Sequence, residues 1–163
     1  MNHLERLVGQ YYEWQGYIVR KNTLVGRRPQ GGHECELDIC AYHPQSQHLI
    51  HLEPSLDADP WDKREKRFTK KFQAGIKHIK TSVFPWLKGT DHEIEQVAVL
   101  IASAQNHTTV GGGKVVNLDE LVAQIRDRIG KVGVMAKNAI PEQYDLLRTI
   151  QLVSCGYYRV VDS

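Results

Sequence analysis

Hydrophobic positions along this chain fall into clear local periods. Leu4, Leu7, Val8, Tyr11 and Tyr12 recur at three- and four-residue spacing, which predicts a helix over 2–15. Gly16 follows as a C-cap. Tyr17 to Val25 is rich in β-branched and aromatic residues and reads as a strand. A loop of Gly, Arg and Pro, Gly26 to Gly32, separates it from two further strands, Cys35–His43 and His48–Ser55. After a connector from Asp57 to Trp61, helical spacing returns from Asp62 to about Ser82. Phe68, Phe72, Gly75, Ile76, Ile79 and Val83 form its apolar stripe, and Pro85 and Gly89 break it. Glu95 to Ala104 encloses a continuous apolar run, Val97 to Ala102, which predicts a buried central strand. Asn106 to Gly113 is a loop, and Val115-Val116 a short edge strand. Asn117 can cap a helix from Leu118 to Ile129 that buries Leu118, Leu121, Val122, Ile125 and Ile129. Ile140-Pro141-Glu142 opens a last helix through about Val153. Gly156 to Val161 is a final strand. The order α-β-β-β-α-β-α-α predicts an α/β fold, a mixed sheet flanked by helices.

The second and third strands carry the chemistry. Pro44-Gln45-Ser46-Gln47 between them suits a four-residue hairpin loop. If His43 pairs with His48, Asp38 stands directly opposite Glu53, with Cβ atoms roughly 5 Å apart. The same register sets Glu36 opposite Ser55 and Cys40 opposite His51. Leu37, Ile39, Ala41, Ile50 and Leu52 fill the other face. Like charges facing each other destabilise a sheet. Either this face is solvated, or a cation sits between the acids. A divalent ion such as Mg²⁺ takes hard oxygen ligands of this kind, often one or two carboxylates plus water.

Composition narrows the class. At 163 residues, one domain is expected, with its core over about 2–130 and a helix and tail over 131–163. Residues 131–163 suggest core completion or an interface. Hydrophobic residues make up 41% and charged ones 25%, as in ordinary globular proteins. The longest apolar run is far too short to span a bilayer, and the N-terminus lacks a signal-peptide pattern, so no membrane partner and a cytoplasmic location are expected. Three cysteines, Cys35, Cys40 and Cys155, have no framework spacing and read as reduced thiols. His33-x-Cys35 with Cys40-x-x-His43 has the outline of a zinc site, but Cys35 and Cys40 would face opposite sides of one strand. Gly111-Gly112-Gly113-Lys114 lacks the first spaced glycine of a P-loop, and Val115 stands where Ser or Thr belongs.

Net charge is only +2, but the charge is uneven. Lys63, Arg64, Lys66, Arg67, Lys70, Lys71, Lys77 and Lys80 outnumber Asp62 and Glu65 over 62–80, and Arg20, Lys21, Arg27 and Arg28 cluster before the hairpin. Such a run is either a solvated helix face or a phosphate-binding surface. Beside an acidic metal site it suits phosphodiester chemistry.

The order and the acids resemble the PD-(D/E)XK nuclease superfamily, nearest to its Holliday-junction-resolvase and Mrr-type members, over roughly residues 2–104. Glu5 precedes Gly16-Tyr17 as the family's first-helix glutamate precedes its Gly-aromatic pair. Asp38, in Glu36-Leu37-Asp38-Ile39, takes the strand-two place, and Glu53-Pro54-Ser55 takes the strand-three place. The resemblance implies a restriction-endonuclease-like fold and a metal-dependent DNA endonuclease. Asp38, Glu53, the Pro54 carbonyl and Glu5 would hold Mg²⁺ or Mn²⁺. Ser55 or Glu36 would orient the attacking water, and Arg27, Arg28, Arg64 and Arg67 would grip the backbone of DNA. A homodimer is compatible with an enzyme that cuts both strands. Ser55 replaces the family's lysine and cannot supply a positive charge. At about 100° per residue, Lys71 lies at the border of the apolar stripe, whereas Lys66, Lys70 and Lys77 point to solvent, so Lys71 is the favoured substitute. The alternatives are a catalytically inactive protein of the same fold that binds nucleic acid or a protein partner, and an interaction protein with an exposed acidic hairpin. Glu5 also has a plain role, since a first-turn glutamate is favoured by the helix dipole alone.

Overall fold

The computed structural model describes residues 2–101, 107–130, 132 and 139–155. The expected final strand, Gly156 to Val161, lies outside them. The chain divides into two compact units, Met1–Leu118 and Asp119–Ser163.

The first unit begins with α1 (His3–Trp14), β1 (Ile18–Arg27), β2 (His33–His43) and β3 (His48–Ser55). α2 (Trp61–His78) carries the chain over to β4 (Ile94–Leu100), and the short β5 (Thr109–Val110) and β6 (Gly113–Asn117) complete the strands among the described residues. Together they make one six-stranded mixed sheet, ordered β1-β2-β3-β4-β6-β5. The first three strands are antiparallel neighbours, while β4 runs parallel to β3 and β6 parallel to β4. A parallel neighbour needs a crossover, and α2 supplies it. β5, within what reads locally as a loop, adds outside β6 but pairs only with Gly113 and Lys114; Val115 and Val116 pair with β4 on one side, and on the other Val115 N–H donates to the Thr108 carbonyl at 2.8 Å.

β3 is the most buried strand. Every residue from Leu49 to Ser55 is at most 8% exposed. The hairpin is thus not half-solvated, because α1 and α2 both pack on β3 and β4 covers its second edge. The expected register holds from His43↔His48 to Ile39↔Leu52. There the two strands part, while Glu53, Pro54 and Ser55 continue to pair with Ala98, Val99 and Leu100. Glu36 consequently does not face Ser55. Alternation along β2 also shifts, since Leu37 and Cys35 pack in the same cluster as Cys40 and Tyr42. Across from this point in β1, between Lys21↔Ile39 and Thr23↔Leu37, Asn22 adopts φ +48°. A left-handed residue within a strand reorients the residues after it, and asparagine tolerates that conformation. The expectation that Cys35 and Cys40 face opposite sides fails, since both pack in one cluster.

Asn2 caps α1 in a full capping box with Glu5, and Gly16 closes it at φ +92°. α2 buries Arg64, Phe68, Phe72, Ala74 and Gly75. Ile76, expected in its stripe, is 62% exposed. The α-helix ends at His78 and passes into a π turn, Ile79–Val83, in which Ile79 and Val83 are buried as their place in the stripe predicts.

In the second unit α3 (Leu118–Gly130) buries Leu121, Ile125 and Ile129. α4 (Asp145–Ser154) starts at Asp145 rather than at Ile140. The buried Gln151 side chain accepts the Ile140 N–H at 3.0 Å and an Arg148 N–H at 2.7 Å, tying the preceding segment down in non-helical form. Among the described residues no helix is long and apolar enough to cross a membrane.

Candidate active site

Asp38 and Glu53 meet where β2 leaves β3. Glu53 is 1% exposed, and its Oε1 accepts the backbone N–H of Asp38 at 3.1 Å. The Nζ of Lys71, reaching down from α2, lies 2.5 Å from Asp38 Oδ1 and 2.5 Å from Glu53 Oε2. α2 places it there by periodicity: Lys71 is half-buried beside Phe68 and Phe72, while Lys66, Lys70 and Lys77 are exposed. A cavity of about 460 Å³ opens above the three groups, lined among others by Glu5, Ser55, Asp57 and Arg67.

The electrostatics follow from burial. Desolvation, then the neighbouring Glu53 charge, pushes the Asp38 carboxyl up to about 7, outweighing Lys71. Burial likewise raises Glu53. For Lys71, burial works to deprotonate the amine, but the Glu53 and Asp38 charges prevail and hold it above its ordinary range. The centre is two carboxyls and one ammonium, with a proton bound to the acids over much of the pH range below neutrality.

Behind Glu53 stands His51, which is fully buried, with Nε2 2.8 Å from Glu53 Oε1. Burial, then Lys71, lowers its pKa to about 3, so the ring is neutral.

In front of the pair, Ser55 Oγ accepts from Arg67 Nη2 at 2.8 Å and donates to Asp57 Oδ2 at 3.2 Å. Arg67 Nη1 also meets Asp57 Oδ2 at 2.5 Å and Asp59 Oδ2 at 3.2 Å. A guanidinium thus stands beside Ser55.

Of the other candidates, Glu5 and Pro54 line the cavity and Glu36, Arg27, Arg28 and Arg64 do not. Glu5 lines the cavity, yet its carboxylate already accepts the Asn2 backbone N–H at 3.0 Å, Asn2 Nδ2 at 2.6 Å and Asn22 Nδ2 at 3.2 Å. Glu36 is exposed, does not line the cavity, and accepts Asn22 Nδ2 at 3.3 Å. The Pro54 carbonyl belongs to a cavity-lining residue. Arg27 and Arg28 are exposed at the far end of β1 and do not line the cavity. Arg64 is 6% exposed and turns inward to donate to the Asp57 carbonyl at 2.5 Å, so it does not stand on an open basic face. Nothing in the local sequence pattern marks Asn22, Asp57 or Gln96 for the site. Asn2 is marked, through Asn2-x-x-Glu5.

Among the described residues no three His, Cys, Asp or Glu side chains form a ready-made metal cluster. The donor chemistry nevertheless fits a hard divalent ion. Two carboxylates, with a third carboxylate and a carbonyl on the same cavity, are oxygen ligands, and Lys71 already shows that the acids hold positive charge. No family model, no curated protein and no solved structure matches this chain.

Proposed function

We propose that this chain is a metal-dependent DNA endonuclease of the PD-(D/E)XK type with a restriction-endonuclease-like fold. One observation carries the proposal: the Lys71 ammonium reaches both Asp38 and Glu53 at the floor of an open polar cavity. A carboxylate pair with one cation fixed against it is the set of charges that phosphodiester hydrolysis uses. The strand order, with antiparallel β1–β3 and parallel β4, supports the same reading.

Asp38, Glu53 and the Pro54 carbonyl would hold Mg²⁺ or Mn²⁺, with Glu5 helping directly or through water. A bound divalent ion lowers the pKa of water and neutralises charge at phosphorus. The chain supplies the rest. Lys71 offers its ammonium to the attacking water and to developing negative charge, in place of the lysine that Ser55 replaces. Arg67 faces the cavity and can take a phosphate oxygen on exchange with Asp57. Burial of Glu53 keeps competing water from one side of the pair.

The test is cleavage of single-stranded, duplex and branched DNA with Mn²⁺, comparing wild type, Asp38→Ala and an EDTA control. Cleavage by the wild type alone supports the reading. Wild-type-like cleavage by Asp38→Ala removes the site assignment.

A second reading has its own observation. Lys71 bridges both acids without any ion, as a structural ion pair does. The protein would then bind nucleic acid or a partner without cutting. DNA binding with a steep salt dependence and no cleavage of any substrate favours that reading.

A further inference from the structure

Glu53 is held from behind by a hydrogen-bonded chain that begins on α2. The Phe72 carbonyl accepts from Gln96 Nε2 at 2.8 Å, which fixes the side-chain amide with its NH₂ toward α2. That same nitrogen lies 3.4 Å from His51 Nδ1. An NH₂ group can only donate, so Nδ1 must present its lone pair. The ring proton therefore sits on Nε2, which lies 2.8 Å from Glu53 Oε1.

The place for the ring is built. His51 is 0% exposed and sits edge-on to Phe72, with ring centroids 5.4 Å apart. Gly75 makes the room, because a Cβ there would overlap the His51 ring. Oε1 of Glu53 is then saturated by His51 and the Asp38 N–H, and Oε2 alone is turned to Lys71.

We propose that His51 is a positioning residue: its Nε2–H, with the tautomer set by Gln96, locks the Glu53 carboxylate so that Oε2 faces the cavity. The proposal rests on Asp38 and Glu53 being the active centre. Partners that orient a ligating or reacting group change metal affinity or activity about 10- to 100-fold when removed.

The experiment has two arms. In the first, ¹⁵N-histidine NMR of the metal-free wild type reads the tautomer. Protonation at Nε2 with bare Nδ1 is expected, and protonation at Nδ1 overturns the proposal. In the second, Mn²⁺ affinity, kcat and KM are compared for wild type, His51→Leu and His51→Gln. His51→Leu is expected to lose about 10-fold or more in kcat and Mn²⁺ affinity, with KM for DNA unchanged. His51→Gln, whose amide nitrogen replaces Nε2, is expected to recover most of both. A folded His51→Leu that matches wild type overturns the proposal, and so does a His51→Gln no better than His51→Leu. Should His51→Leu not fold, Gly75→Ala keeps every donor and displaces the ring. The same losses are expected, and wild-type values overturn it. A wild type that cuts no DNA sinks the nuclease reading only, since the tautomer and Mn²⁺ arms still report on His51.

Discussion

The ammonium of Lys71 lies 2.5 Å from Oε2 of Glu53, a carboxylate that is 1% exposed and reached from a different secondary-structure element. Lys70, one residue away on the same helix, is exposed to solvent.

Lys71→Met is expected to leave two acids buried without their cation. Breaking such a pair from one side costs about 3 kcal/mol, read as a lower urea midpoint at pH 8 in EDTA. DNA cleavage is expected to fall to background. Lys70→Met is the control and should stay within about 0.5 kcal/mol of wild type. Equal effects from the two variants would remove the special place of Lys71.

Stability should depend on pH through Asp38. Its folded-state pKa, about 7, lies above the ordinary value of 3.8, so the folded protein binds a proton more readily than the unfolded chain. Stability from this group is therefore full below pH 3.8 and is lost as pH rises toward 7. At about 1.4 kcal/mol per unit the loss is at most about 4 kcal/mol. Asp38→Asn removes this dependence. In EDTA, the stability of wild type relative to Asp38→Asn is expected to drop between pH 4 and pH 8. A constant difference across that range would contradict the buried, proton-binding pair.

Arg67 is engaged by Asp57 and Asp59. Asp57 is well exposed and can yield to a phosphate. Asp57→Asn is expected to tighten DNA binding a few-fold by releasing the guanidinium. Arg67→Ala is expected to weaken it and to reduce the salt slope by about one. Fluorescence anisotropy over a salt series measures both, and an unchanged slope for Arg67→Ala would exclude a phosphate contact.

Asn22 combines a left-handed backbone with two side-chain bonds, to Glu5 and Glu36. Asn22→Gly keeps the backbone and loses the amide, so its Tm should stay near that of wild type. Asn22→Val loses both and is expected to cost about 1–3 kcal/mol. A Val variant as stable as the Gly variant would show that the strand relaxes at this position.

Much of this arrangement is written locally. Four residues between two alternating segments set a hairpin register that holds as far as Ile39↔Leu52, one step short of Asp38 and Glu53, because side-chain period and loop length are local properties. Helical spacing likewise separates Lys71 from Lys70 on α2, and Asn2-x-x-Glu5 spells the cap of α1. What the sequence could not decide is everything set by neighbours distant in the chain. β3 is buried on both faces because β4 pairs along its second edge and two helices pack on it, so an acid that reads as solvated becomes a desolvated one. β2 pairs with β3 only from Ile39 onward, Asn22 turns left-handed across from that point, and Arg64 folds inward onto the Asp57 carbonyl. Spacing determines which residues share a face. Only tertiary packing decides which faces lose their water, and with that the charge state of the site.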